Sequence, residues 1–302
     1  MPIKNWFAVI VGMVLCTVLG FSSSSAFGQA YHTSGAADTG LDWFQDNFTA
    51  SNGGNTVWVR STIGGNDWFG TGIAIDPYNI LVTGHQVWNN GLGGHATNIA
   101  VGTGSNYLSD PGWTTEGSNW LSHHDWDGSL FSQKVDLGIV HIPEGVPGIE
   151  PLTIGASVLD EELRGGGFGE LAIDGQWQGV DGNGYAGKMW VDEYGLLGGG
   201  SVSTDYIRSV FLPTFMRDDP MAFGATPGSS GSGVFNLDGD LVGLTVGVAG
   251  SGMPNPGYST FSLRVDLYEP WILDNMYVVP SPASFVLLAM GGLVASSRRR
   301  RA

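Results

Sequence analysis

Pro227-Gly228-Ser229-Ser230-Gly231-Ser232-Gly233-Val234-Phe235-Asn236-Leu237-Asp238-Gly239-Asp240-Leu241-Val242-Gly243-Leu244-Thr245-Val246-Gly247-Val248 is the stretch on which the reading of this chain turns. Its second half is strand, turn, strand. Ser232–Phe235 and Leu241–Val248 are apolar, and the Leu237–Asp240 turn carries the Asp-Gly pair that tolerates hairpin backbone conformations. Its first half sets glycines around a serine. Glycine lets the backbone turn tightly and aim successive N–H groups at one spot, the geometry that stabilises a developing oxyanion. A flexible turn would show the same composition, so the loop acquires meaning only from its company.

That company lies upstream. Ile80-Leu81-Val82-Thr83-Gly84-His85 reads as a buried strand ending at a histidine, and Asp136-Leu137-Gly138-Ile139-Val140 places a carboxylate at the start of an apolar strand. A carboxylate there is costly unless it accepts hydrogen bonds, and an imidazole N–H is a fitting donor. His85, Asp136 and Ser230 follow one another at intervals of 51 and 94 residues. Together they make an acyl-transfer triad: Ser230 as nucleophile, His85 as base, Asp136 as orienting acid. The amides of Gly228 and Ser230 are the candidate oxyanion hole. Ser229 and Ser232 compete for the nucleophile's role, but Ser230 alone has glycine two before and one after.

The rest of the body is strand-rich. Further strands are expected at Thr56–Arg60, Gly70–Ile75, Asn98–Val101, Leu137–Ile142, Gly187–Val191, Tyr206–Leu212 and Thr260–Val265, with one helix at Leu267–Met276. Pro270 falls in that helix's first turn, where its missing N–H costs nothing. With 49 glycines, 42% hydrophobic residues and 13% charged ones, the composition suits strands and turns rather than disorder.

These motifs resemble those of the chymotrypsin/trypsin family of serine proteases. Leu81-Val82-Thr83-Gly84-His85 is similar to the family's Leu-Thr-Ala-Ala-His strand end, Asp136-Leu137-Gly138-Ile139 to its Asp-Ile-Ala-Leu strand, and Gly228-Ser229-Ser230-Gly231-Ser232 to Gly-Asp-Ser-Gly-Gly. Gly167-Phe168-Gly169 looks like the strand that opens the second barrel, and 264–272 like the closing strand and terminal helix. The resemblance spans about 55–276. It implies an all-β fold of two antiparallel six-stranded barrels with a C-terminal helix, over 55–277 and split near 145–155. The implied activity is that of an endopeptidase on protein or peptide substrates, without a cofactor.

The departures carry information. No cysteine follows His85. Ser229 stands where trypsin-like zymogens carry an aspartate that pairs with a newly cut N-terminus, so activity is expected without such a cut. Gly224, six before the nucleophile, would lie at the specificity-pocket floor, with Val246, Gly247 and Val248 in its wall. That combination implies a small or apolar side chain before the scissile bond. Two other readings remain: a catalytically inactive protease-fold surface or matrix module, and a carbohydrate-binding β-sandwich.

Both ends read as addresses. Residues 1–30 have the form of a signal peptide, with Lys4, an apolar core from Trp6 to Phe21, and cleavage after Ala26, Gly28 or Ala30. Residues 31–54 are an arm or linker. Residues 278–302 resemble the PEP-CTERM sorting tail that an exosortase removes, with Pro280-Ser281-Pro282, the apolar run Ser284–Ala295 and four terminal arginines. Ser281 replaces the motif's glutamate. The body is therefore expected outside the cytoplasmic membrane, in the periplasm, at the cell surface or beyond.

The chain's net charge of −16 hides a more acidic body: the two ends hold five of the twelve basic residues and no acidic one, leaving 31–279 at −21. Such a surface repels phosphate backbones, so no nucleic-acid partner is expected. Cys16, the single cysteine, lies inside the signal segment, so the body has no disulfide. His123-His124-Asp125-Trp126-Asp127-Gly128 has possible ligands but neither zinc nor EF-hand spacing, and Asp181-Gly182-Asn183-Gly184 could bind calcium. The first reads as a solvated loop, the second as a turn, and no metal site is expected.

Overall fold

The computed structural model describes residues 29–31, 44–46, 48, 54–129, 135–173, 176–195, 205–211, 223–226, 228–249 and 258–278. Most of the signal segment, the sorting tail from 279 onward, and Pro227 lie outside the described residues. In chain order the strands are β1 (Gln29–Tyr31), β2 (Thr56–Ile63), β3 (Asn66–Asp76), β4 (Asn79–Val82), β5 (Trp88–Asn89), β6 (Gly94–Gly102), β7 (Thr114–Glu116), β8 (Asn119–Ser122) and β9 (Gly138–His141). There follow β10 (Glu162–Ile173), β11 (Gln176–Trp190), β12 (Glu193–Tyr194), β13 (Tyr206–Phe211), β14 (Phe223–Ala225), β15 (Gly233–Phe235), β16 (Leu241–Ala249) and β17 (Tyr258–Arg264). A 3-10 turn, Val265–Tyr268, leads into the helix Glu269–Asn275, with Pro270 in its first turn.

These strands form two sheets, each wrapped towards a barrel. The first runs β5-β6-β2-β3-β4-β9-β8, with β7 paired to β6. β7 and β8 are two parts of one segment: Gly117 N donates to Ile99 O and Ser118 N to His141 O, which joins the sheet's two margins. The second runs β12-β13-β17-β16-β15-β10-β1-β14, with β11 on β10 and lying against β13. The expected six strands per barrel are therefore present as β2, β3, β4, β6, β7–β8 and β9, and as β10, β11, β13, β15, β16 and β17. The remaining strands are two or three residues long.

Alternation along the strands divides the core. Ala74, Ile80, Val82 and Val140 point into the first barrel with Val57, Val59, Ile99 and Val101. Their neighbours Ile73, Ile75, Leu81 and Ile139 point outward, yet they are buried against Phe235, Leu241, Leu244 and Leu263 of the second barrel and Ile272 of the helix. Burial on both faces explains why 80–82 and 137–140 read as unbroken apolar runs. A second interbarrel cluster joins Trp58 and Tyr107 to Phe168 and Ala186, with Phe48 of the N-terminal arm. Phe44 of the same arm is buried in the second barrel's interior. An arm, rather than a free linker, is what 31–54 contributes at these positions.

The segment after β9 contacts first one barrel and then the other. Leu152 N donates to Ile75 O in the first barrel, and Gly155 N to Leu241 O in the second.

Candidate active site

His85 lies just past β4, on the helical turn Gly84–Val87 rather than on the strand itself. Gln86 builds that turn: its Oε1 accepts from Thr83 N at 2.8 Å and from Thr83 Oγ at 2.9 Å. Asp136 precedes β9, which pairs with β4, so sheet register sets the acid beside the histidine. The carboxylate holds His85 twice, accepting the backbone N–H at 2.8 Å and meeting Nδ1 at 2.7 Å. Both side chains are largely buried, His85 at 14% exposed and Asp136 at 9%. With the carboxylate on Nδ1 the proton belongs there, which leaves Nε2 as the basic nitrogen.

Asp136 has further company. Tyr206 is buried, and its phenol pKa is raised by that burial and then by the Asp136 charge. Trp126 is buried, donates from its indole N–H to Trp88 O at 2.7 Å, and has its ring centre 6.5 Å from that of His85. Gly84 is explained by the same tryptophan: a Cβ there would fall 2.9 Å from Trp126 Cγ and 3.1 Å from Asp136 Oδ1. The alanine of the resembling motif has no room here.

The loop 228–232 reaches the histidine side through a polar seam between the barrels. Thr71 N donates to Ser230 O at 3.0 Å, while Thr71 O accepts from Gln86 Nε2 at 3.0 Å. The Thr71 hydroxyl meets the second barrel, accepting from Phe168 N at 2.9 Å. One threonine thus ties the residue next to His85, the Ser230 carbonyl and the first strand of the second barrel. Sequence reading passed over Thr71, Gln86 and Trp126, because nothing local marks them. Gln86→Leu keeps the volume but strands the Thr83 N–H and releases Thr71. It is expected to cost about 2 kcal/mol in denaturant unfolding and to slow reaction at Ser230.

Among the three serines the structure discriminates. Ser229 and Ser232 are fully buried, at 0% and 1% exposed, whereas Ser230 is partly open. Thr226 N donates to Ser229 Oγ, and Ser232 Oγ is buried without a partner among the described residues. Gly228 and Gly231 adopt positive φ, +92° and +85°. Among the described residues the N–H groups of Gly228 and Ser230 make no hydrogen bond, nor do His85 Nε2 and Ser230 Oγ with each other. Free amides on a tight glycine turn can receive an anion.

The pocket residues are placed less simply. Gly224 is buried within β14, opposite Ala30 of β1, and β14 lies against β16 and β17. Val246 occupies a bulge in β16 and faces the interbarrel core, while Val248 packs against Tyr258. Asp181, read as a turn, lies instead in β11 at a register irregularity between the Val180 and Gly184 pairings, where its carboxylate accepts from Asn183 N at 3.0 Å and from the Tyr185 hydroxyl.

Among solved structures, HL collagenase is similar at a TM-score of 0.55 and 17% identity, covering 74% of this chain and 93% of its own. A scabies mite inactivated protease paralogue reaches 0.53 at 16%, covering 74% and 94%. The active form of the Rv3671c protease of M. tuberculosis reaches 0.53 at 16%, covering 87% and 95%. The fold is that of the chymotrypsin-like serine proteases. No protein-family model and no curated protein matches the chain. His85 and Asp136 of the first barrel and the Ser230 loop of the second lie on either side of the seam that Thr71 and Gln86 make.

Proposed function

We infer that this protein is an exported serine endopeptidase working through His85, Asp136 and Ser230. The observation that supports this best is the double grip of Asp136 on His85, which leaves Nε2 as the basic nitrogen, while Thr71 of the same barrel holds the Ser230 carbonyl. In the proposed reaction His85 Nε2 removes the Ser230 proton as Oγ attacks a peptide carbonyl, then delivers it to the leaving amine. Asp136 stabilises the imidazolium. The Gly228 and Ser230 amides take the oxyanion, each worth about 3–4 kcal/mol. Water hydrolyses the acyl-enzyme by the same steps in reverse roles.

The His85–Ser230 hydrogen bond is the part of the triad that forms with substrate, since such contacts are commonly loose in free enzymes. The family resemblance, with Gly224 at the pocket floor and Val246, Gly247 and Val248 as its wall, favours a small or apolar side chain before the scissile bond, although Val246 itself faces the interbarrel core and Val248 packs against Tyr258. Cleavage of a peptide library only after Lys or Arg would refute that preference. Ser229, buried and uncharged, has no ion pair to offer a new N-terminus, so the mature chain is active without an internal cut. The signal and PEP-CTERM-like segments direct the body across the membrane, with an exosortase-type enzyme acting on the tail.

A second reading has its own support. An inactivated protease paralogue shares this fold, so the fold alone does not entail catalysis, and a surface or matrix binding module is the alternative. A fluorophosphonate probe separates the two. Labelling of the wild type that disappears in Ser230→Ala and His85→Ala supports the hydrolase. A wild type that stays unlabelled while folded makes the chain a binding module.

A further inference from the structure

We propose that His123, His124 and Asp125 form a binding site for a zinc-like divalent cation at the edge of the first barrel. One ligand atom from each of the three lies within 4.8 Å of the others. Asp125 Oδ2 stands 3.9 Å from His123 Nδ1 and 3.8 Å from His124 Nε2. Ligand atoms of one tetrahedral zinc ion are about 3.4 Å apart; the His123 and His124 rings are stacked with centres 4.1 Å apart, so the exposed His124 ring and Asp125 carboxylate turn to converge on the ion while His123 stays in place. Two imidazoles with one carboxylate suit zinc, nickel or copper and disfavour calcium and magnesium, which take oxygen donors.

The cluster is anchored on one side and open on the other. The His123 side chain is 5% exposed, its ring set against Tyr268 and Trp271. Its backbone is tied by His123 N to Leu137 O at 2.8 Å and Trp126 N to His123 O at 2.9 Å. His123 Nδ1 accepts the Asp125 N–H at 3.2 Å, so a lone pair already points toward Asp125. That long contact is weak enough for a cation to displace. His124 and Asp125 are 74% and 57% exposed, so an ion arrives from solvent and two ligands turn freely. Spacing alone shows no site at residues 123–125, because it carries no geometry. They form a turn after β8 instead of continuing the strand, and the turn gathers three consecutive side chains on one side.

The loop also abuts the support of Asp136. Trp126 follows directly and rests on Gly84 beside Asp136, so an ion at 123–125 would stiffen the support behind the acid.

The test is calorimetric titration of ZnCl2 into the full chain carrying Ser230→Ala, which makes the readout independent of any peptidase activity. One saturable site is expected, weakened at least tenfold in both His124→Ala and Asp125→Asn. Both changes are at exposed positions and leave the fold intact. Zinc should also raise Tm in the parent and not in the His124→Ala chain. MgCl2 should give no binding heat. Absence of saturation up to millimolar zinc, or an isotherm unchanged by both substitutions, would overturn the proposal.

Discussion

Asp136→Asn is expected to lower the acylation rate at Ser230 by about 10⁴-fold while the protein stays folded. The reason lies in the two bonds the carboxylate makes. An asparagine can still accept the His85 backbone N–H through its oxygen, the contact now 2.8 Å long, so the helical turn keeps its place. The amide nitrogen then faces His85 Nδ1, across the present 2.7 Å contact. Two donors cannot share that contact, so the imidazole moves its proton to Nε2. A protonated Nε2 cannot take the serine proton. The loss corresponds to about 5 kcal/mol of transition-state stabilisation, measured as the rate of fluorophosphonate labelling or of ester acylation. Tm should change little. A labelling rate within tenfold of the wild type would show that Asp136 does not set the tautomer, and the triad reading would fail with it.

The pairing of His85 with Asp136 was legible because each sits in a string whose chemistry is local. Asp136 and His85 adjoin strands that are apolar on both faces, and only a paired carboxylate is tolerable at such a place. The long apolar strands were legible for the same cause, although β1, β5, β7, β8, β12 and β14 were not, since two to four residues without an apolar run carry no period. What remained hidden depends on distant partners. Thr71 looks like an ordinary strand threonine, yet its hydroxyl is bonded across 97 positions to Phe168. Gln86 looks like a helix polar residue, yet it bonds back to Thr71 where no cysteine was available to staple the segment. Gly84 weakened the histidine motif on paper, and Trp126, 42 positions on, is what requires it. In each case the sequence showed a departure or nothing, and the compensating residue became visible only in three dimensions.

The seam between the barrels makes the second large prediction. Gly231 has φ +85°, and a Cβ added there would lie 2.0 Å from the Thr71 carbonyl oxygen and 2.8 Å from Gln86 Oε1. The first of these is backbone of β3, held between β2 and β4, and it cannot step aside. Gly231→Ala must therefore push the Ser230 loop away from the first barrel, breaking the Thr71 N to Ser230 O bond. Left-handed backbone costs an alanine about 1–2 kcal/mol, and forcing atoms into a filled space adds about 1–3 kcal/mol. A total of about 3 kcal/mol should lower Tm by roughly 6–12 °C for a domain of this size and remove probe labelling at Ser230. Gly239→Ala separates strain from collision. Gly239 has nearly the same backbone, φ +89°, but nothing lies within 4 Å of its added Cβ, so only the conformational cost of about 1–2 kcal/mol applies and labelling persists. Equal melting temperatures for the two variants, with Ser230 still reactive in both, would mean that the loop is not wedged against Thr71 and that the barrels do not hold the nucleophile in register.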